Sequence, residues 1–203
     1  MNQIEALKRL NALGTAGFGT RDAAAVLKVR PANAHMILRR LARQGFLAHL
    51  ARGRWASANR VNPFGLPELL SSPYPAYVSL QSALFHHGLI EQVPAVVYAV
   101  TLGRPRVVAG PGATVSFHRM PPELFLGFAA SADGAKIATA EKALFDVLYL
   151  APGKSRLFAS LPELQIPPSF SWAAVRRYAR LVRSKSRRAF IEARIKSLAT
   201  SAP

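Results

Sequence analysis

The sequence lacks several features that would place it in a common class of protein. It contains no cysteine, so disulfide frameworks and thiolate metal sites are excluded. It has no uncharged apolar run of about 18 residues, the length that a membrane-spanning helix needs. The N-terminal residues also lack the long apolar segment of a secretory signal. These absences favour a cytoplasmic protein without a membrane partner.

Acidic residues are scarce as well. The 203 residues include 10 Asp and Glu against 27 Lys and Arg, which gives a formal net charge of +17. Residues 1–60 hold 11 basic and 2 acidic residues, residues 61–153 hold 5 and 6, and residues 154–203 hold 11 and 2. Positive charge raises affinity for polyanions. Two basic ends around a neutral middle therefore indicate phosphate contact at the ends.

The first 58 residues have the pattern of a winged helix-turn-helix. Hydrophobic periodicity, with Thr20 as an N-cap and Pro31 in the first turn of the third helix, predicts three helices and a hairpin around Gly53. The predicted elements are helices over 2–13, after Thr20 and over 31–44, and strands over 46–50 and 54–58. Such a module presents one helix to the DNA major groove and a hairpin to the backbone. Duplex DNA is therefore the first partner that we expect.

The third helix is the candidate recognition helix. Its Ala34, Ile37, Leu38 and Leu41 share one side, while polar and basic residues occupy the rest. Residues near its start are the expected base readers, and arginines neutralise phosphate or contact guanine. The candidate DNA-binding residues are Thr20, Arg21, Ala32, Asn33, His35, Met36, Arg39, Arg40, Arg43, Arg52 and Arg54. The alternatives are a solvated cationic face on an ordinary helical bundle and a hairpin turn with routine solubilising charge.

We predict a winged helix domain at 1–58, a proline-rich linker at 59–75 and an α+β domain at 76–203. The second domain is expected to hold an antiparallel sheet with flanking helices. Its predicted helices cover 79–87, 139–150 and 171–198, with a break in the last at 184–186, and its predicted strands cover 96–102, 106–108, 114–119, 124–130 and 136–138. Four prolines within about thirteen residues exclude a long helix from the linker.

The last helical region is rich in arginine. These residues are candidate contacts to DNA or another anion, because guanidinium matches phosphate with paired donors. They are Arg176, Arg177, Arg180, Arg183, Arg187 and Arg188. A solvated helix face and an amphipathic helix at a membrane surface are the alternatives.

No constellation of residues indicates catalysis. His86 and His87 are adjacent and cannot share a helix face, so they do not form a metal site with a neighbour. Glu141 and Asp146 diverge by about 140° on a helix, which excludes a paired-carboxylate site. Nucleophile elbows and phosphate-binding glycine loops are absent from the sequence. We expect no enzymatic activity, no metal and no cofactor.

Several segments in order resemble a known family. They are YVSLQSAL at 77–84, HGL at 87–89, QVP at 92–94, VYAVT at 97–101, FHR at 117–119 and IATAEKALFD at 137–146. Together with the N-terminal pattern, they resemble the AbiEi-type antitoxins of bacterial type IV toxin–antitoxin systems. The winged helix is common to many regulators, so the segments around Ser79 and Thr139 are the more specific part.

The resemblance implies a repressor of its own operon, acting at promoter inverted repeats, that also counteracts a nucleotidyltransferase-like toxin without a stable complex. Some relatives carry a nuclease-like domain, but here Glu141 is followed directly by Lys142 in a predicted helix, which disfavours that version. Two alternatives remain open. One is a toxin-neutralising interaction protein with secondary DNA binding, and the other is a plain winged-helix regulator.

Overall fold

The chain folds into a mixed α+β structure. The computed structural model describes residues 2–13, 17–58, 62–110, 112–131, 134–151 and 163–201. Over these residues there are eight α-helices and two β-sheets, one of three strands and one of six. Residues 59–61 of the predicted linker lie outside the described residues.

The N-terminal part combines three helices with a small antiparallel sheet. Its elements are α1 (Gln3–Asn11), β1 (Gly17–Gly19), α2 (Thr20–Leu27), α3 (Pro31–Arg43), β2 (Leu47–Ala51) and β3 (Arg54–Ser57). The three predicted helices and the hairpin are confirmed, whereas β1 was not predicted. The strand order is β1-β3-β2, and Gly53 closes the hairpin at a φ of 72°, a backbone conformation that glycine adopts without steric penalty.

The predicted linker contains ordered structure that packs on the rest of the chain. A 3₁₀ turn at Pro63–Gly65 leads into α4 (Leu66–Ser71), and the prolines keep this helix short. Leu66 and Leu70 are buried in the larger hydrophobic core. A Cβ at Gly17 would lie 2.6 Å from the Leu69 Cδ1, so β1 and α4 touch closely. The predicted domain boundaries stay a prediction.

The rest of the described chain forms the larger sheet and four further helices. These elements are β4 (Ala76–Val78), α5 (Leu80–His86), β5 (Val97–Thr101), β6 (Arg106–Gly110), β7 (Ala113–Arg119), β8 (Phe128–Ala130), β9 (Lys136–Ala138), α6 (Ala140–Leu150), α7 (Trp172–Arg180) and α8 (Lys185–Ser201). The strand order of the sheet is β6-β7-β5-β4-β9-β8. The predicted break in the last helical region is confirmed, between α7 and α8.

Two expectations for this sheet are wrong. It is mixed rather than antiparallel, because β7 pairs parallel with β5 and β9 pairs parallel with β4. β6, which separates β5 from β7 in the chain, pairs antiparallel with β7 at one edge of the sheet, and β8 pairs antiparallel with β9 at the other edge. The strand predicted at 124–130 shrinks to Phe128–Ala130, because Pro122 begins a 3₁₀ turn that extends to Leu124.

A fully buried polar cluster joins the sheet to α6. The Nζ of Lys142 contacts the Oδ1 of Asp146, and both side chains have 0% exposure. The Tyr77 hydroxyl donates to Asp146 at 3.0 Å and the Ser79 hydroxyl at 2.7 Å. The Lys142 ammonium also donates to the Tyr77 oxygen at 2.9 Å. Burial raises the pKa of Asp146 and lowers that of Lys142, while the attraction between the two charges opposes both shifts.

Removing one of the two buried charges from this cluster should destabilise the fold strongly. We expect Lys142→Met to lower the free energy of unfolding by about 3–5 kcal/mol, because it leaves the Asp146 carboxylate buried without its partner. The double substitution Lys142→Met with Asp146→Leu should recover part of that loss, since it removes both charges. Urea denaturation measures both. Lys136→Met is the matched control, because Lys136 pairs with Glu68 at the surface and should lose less than about 1 kcal/mol.

His118 on β7 adds a pH-dependent contribution to stability. Burial lowers its pKa to about 4, from an ordinary value of 6.5, and its Nε2 lies 3.1 Å from the Ser116 hydroxyl. The unfolded chain therefore takes up a proton at this site before the folded chain does. The resulting stabilisation is complete above pH 6.5 and declines as the pH falls from about 6.5 to 4.

We expect His118→Gln to flatten the dependence of unfolding free energy on pH across that interval. Because solvent partly screens the half-buried ring, we expect the wild-type chain to lose only roughly 1–2 kcal/mol more unfolding free energy than the variant. Urea denaturation at several pH values gives the comparison. Parallel pH curves for the two proteins would contradict the assignment to His118.

Candidate nucleic-acid interface

Helix α3 turns one face inward and the predicted contact face outward. Ala34, Leu38 and Leu41 are 0% exposed, and they hold the helix against α2 and the small sheet. The predicted outward residues are all exposed, with Met36 at 65%. They are Ala32, Asn33, His35, Met36, Arg39, Arg40 and Arg43. The amphipathic division predicted for this helix is confirmed, except that Ile37 is only partly buried.

The hairpin and the start of α2 are joined through Thr20. Its hydroxyl accepts a hydrogen bond from the Trp55 Nε1 at 3.0 Å, and its backbone N–H donates to the Gly53 carbonyl at 2.9 Å. Thr20 was predicted as the N-cap of α2, but the cap is Gly19, whose N–H donates to the Asp22 carboxylate at 2.8 Å. Thr20 therefore positions the hairpin against the helices.

An open groove separates α3 from strand β2. It encloses about 530 Å³ and is lined by His35, Arg39, Ala42, Arg43, His49 and Trp55. Trp55 forms its floor and is 2% exposed, which agrees with the prediction that it packs beneath the hairpin. The ring centroids of His35 and His49 lie 5.8 and 4.6 Å from that of Trp55. The groove therefore carries two imidazoles and two guanidinium groups above an indole.

A second depression continues along the same helix. It encloses about 300 Å³ and is lined by Met36, Arg39, Arg40 and Arg43. Carboxylates are absent among the side chains lining either depression, so the local potential is positive. The outward face of α3 together with these two depressions is called the α3 face below.

His49 belongs to the α3 face but was missing from the sequence-based candidates. It lies directly opposite Trp55 in the β2–β3 register, and residues paired across an antiparallel hairpin share one face of the sheet. The sequence alone could not assign it to this face, because the β2–β3 register shifts between His49 and Ala51 and so cannot be counted back from the turn at Gly53.

The two hairpin arginines, Arg52 and Arg54, lie in different surroundings. Arg52 is exposed at the turn, and Arg21 is exposed in the first turn of α2. Arg54 is half-buried, and its Nη2 donates to the Ser72 hydroxyl at 2.6 Å. Side chains alternate along a strand, so Arg54 points away from the sheet face that carries Trp55. The structure thus separates Arg54 from the α3 face.

The six C-terminal arginines also differ in their surroundings. Arg176, Arg177 and Arg180 are exposed on α7. The Arg183 Nε lies 3.0 Å from the Glu123 carboxylate. Arg187 is half-buried with its guanidinium carbon 4.8 Å from the centre of the Tyr149 ring, and the neighbouring Arg188 is half-buried too.

The residues considered for catalysis or metal binding have structural partners. The Nε2 of His87 lies 2.7 Å from the Ala138 carbonyl oxygen, and Glu141 accepts a hydrogen bond from the Ser171 N–H at 3.2 Å. Asp146 belongs to the buried cluster with Lys142. Within the described residues, no three His, Cys, Asp or Glu side chains are grouped as a metal site would require.

Among the helices in the described ranges, none is long and apolar enough to cross a membrane.

Compared with the profiles of protein families and with curated proteins, the sequence matches none.

The Thr20–Trp55 contact predicts a measurable effect of the hydroxyl. We expect Thr20→Val to lower the free energy of unfolding by about 1–3 kcal/mol, because the indole N–H loses its acceptor in a partly buried position. Thr20→Ser keeps the hydroxyl and should stay within about 1 kcal/mol of wild type. Urea denaturation followed by Trp fluorescence measures both. Unchanged stability of Thr20→Val would show that this hydrogen bond does not contribute.

Proposed function

We propose that the N-terminal part is a winged helix-turn-helix and that the protein is a sequence-specific, duplex-DNA-binding transcriptional repressor. The observation that carries the proposal is the α3 face, where exposed polar and basic residues and a strand of the adjoining hairpin border one positively charged groove. This is the arrangement by which such modules place a helix in the major groove.

The residues of the α3 face divide by their place along the helix. Asn33 and Met36 lie in its first half, where side chains reach base edges, and an Asn amide pairs with the edge of adenine. Arg39, Arg40 and Arg43 follow at spacings that suit phosphate contacts on either side of the groove. Arg52, which is exposed at the hairpin turn, would contact a phosphate outside the groove.

The role of the repressor is the second part of the proposal. The resemblance to AbiEi-type antitoxins supports an autoregulating antitoxin that acts in the cytoplasm and counteracts a nucleotidyltransferase-like toxin. Of the segments that carry the resemblance, the one at 137–146 supplies Lys142 and Asp146, which are 0% exposed. These two residues hold the fold together, so toxin neutralisation would have to use other, exposed residues.

DNA binding is tested with the full chain. Leu50 and Ala56 of the hairpin belong to the larger hydrophobic core, so an isolated N-terminal fragment would expose them. If about five phosphates are contacted, the logarithm of the binding constant should fall with the logarithm of salt at a slope near −4 to −5. Fluorescence anisotropy with a duplex from the region upstream of the coding sequence measures this slope. A slope near zero would contradict the proposal.

Substitutions separate base contacts from phosphate contacts. Asn33→Ala should weaken binding to the upstream duplex by about 1–3 kcal/mol and relax preference at one base position. Arg39→Gln should weaken binding to all sequences and reduce the salt slope by about 1. Arg54→Gln is the matched control, since Arg54 donates to Ser72 away from the α3 face and should leave the slope nearly unchanged. Equal effects of Arg39→Gln and Arg54→Gln would count against the α3 face.

A further inference from the structure

Positive charge converges at a second place, between the last two helices. An open groove of about 430 Å³ is lined by Arg176 and Arg180 from α7 and by Glu192 and Lys196 from α8. Each helix contributes two residues four positions apart, which lie on one face, one turn above the other. A run of charge on a single helix is ordinarily a solvated face, but here cations from two helices border one concavity.

The neighbouring arginines are already engaged. Arg183 pairs with Glu123 at 3.0 Å, and Arg187 lies over the Tyr149 ring at 4.8 Å. Arg176 and Arg180, by contrast, are exposed and border open space. Arg183 and Arg187 thus have intramolecular partners, whereas Arg176 and Arg180 face the groove.

The groove rests on a rigid base. Val175 and Ala179 of α7 and Ile191 and Ile195 of α8 are 0% exposed and belong to the larger core. Their burial fixes the axes of both helices, so the outward side chains are held near one another before any ligand arrives. Pre-organisation of this kind lowers the entropic cost of binding.

We infer that this groove binds the phosphate backbone of duplex DNA, at a site distinct from the α3 face. The lining contains no aromatic side chain, whereas proteins that hold single strands stack bases on aromatic rings. Arginine and lysine without a stacking platform suit backbone contact that does not read sequence. Glu192 lowers the net positive charge of the groove, so we expect the groove to add to the DNA affinity of the α3 face and not to replace it. The inference rests on the proposed function, because it assumes that duplex DNA is the partner.

The test uses the full chain and a fluorescent random-sequence DNA duplex of about 30 base pairs, with anisotropy recorded across a range of salt. The double substitution Arg176→Gln with Arg180→Gln should reduce the slope of log affinity against log salt by about 2. Between about 50 and 200 mM salt, the variant should then lose roughly tenfold less affinity than wild type. Glu192→Gln should tighten binding, since it removes the carboxylate from the groove.

Arg183→Gln is the control for net charge, because it removes one positive charge from the same region at a residue outside the groove lining. Its slope should change by less than about 0.5. An unchanged slope for the Arg176 and Arg180 double variant, with unchanged circular dichroism, would overturn the inference. A loss as large in Arg183→Gln would do the same, because it would reflect net charge alone.

Two further arms separate this inference from the proposed function. If Arg39→Gln with Arg40→Gln lowers the slope but the groove variant does not, the proposed function stands and the groove assignment fails. If only the groove variant lowers it, the α3 face fails. An RNA duplex of the same length, bound more than about tenfold tighter than DNA, would overturn the choice of DNA as the ligand.

Discussion

The arrangement of the N-terminal part depends on strand β3 being covered on both faces. Trp55 points towards the helices and belongs to their core, whereas the next residue, Ala56, belongs to the larger core. Because side chains alternate along a strand, this single constraint fixes three things. It places Trp55 beneath the α3 groove, it brings the Thr20 hydroxyl to the indole N–H, and it sends Arg54 to Ser72 on the other side. The hairpin thereby connects the α3 face to the larger sheet.

The buried cluster around Asp146 is the equivalent constraint on the six-stranded sheet, because it links that sheet to α6. Lys142 and Asp146 are one turn apart on α6, while Tyr77 and Ser79 come from β4 and the residue that follows it. Two opposite charges and two hydroxyls satisfy one another where water has no access, and a half-satisfied version would be strongly unfavourable. The segments at 77–84 and 137–146 thus include residues whose position is explained by folding.

Net charge alone describes this protein poorly. Of the basic residues, Lys142 is buried, Lys136 and Arg183 have carboxylate partners, and Arg187 lies on an aromatic ring. In the described part of the chain, basic residues that border open grooves include those of α3 near one end and those of α7 and α8 near the other. Affinity for a polyanion depends on cations that can contact it together, and each of these two groups brings several cations to one groove.

The sequence by itself determined the helices other than α4, the hairpin around Gly53, the break before α8, the inward positions Ala34, Leu38 and Leu41, and the excess of positive charge at both ends. Each of these is a local property, because periodicity, caps and turns involve residues close together in the chain. Only the tertiary structure decided the mixed strand order, the place of His49, the diversion of Arg54 and the partners of Arg183 and Arg187. Contacts such as Arg183 with Glu123 and Arg54 with Ser72 join residues far apart in the sequence and leave no periodic signal in it. The place of His49 depends on an irregular register within the hairpin.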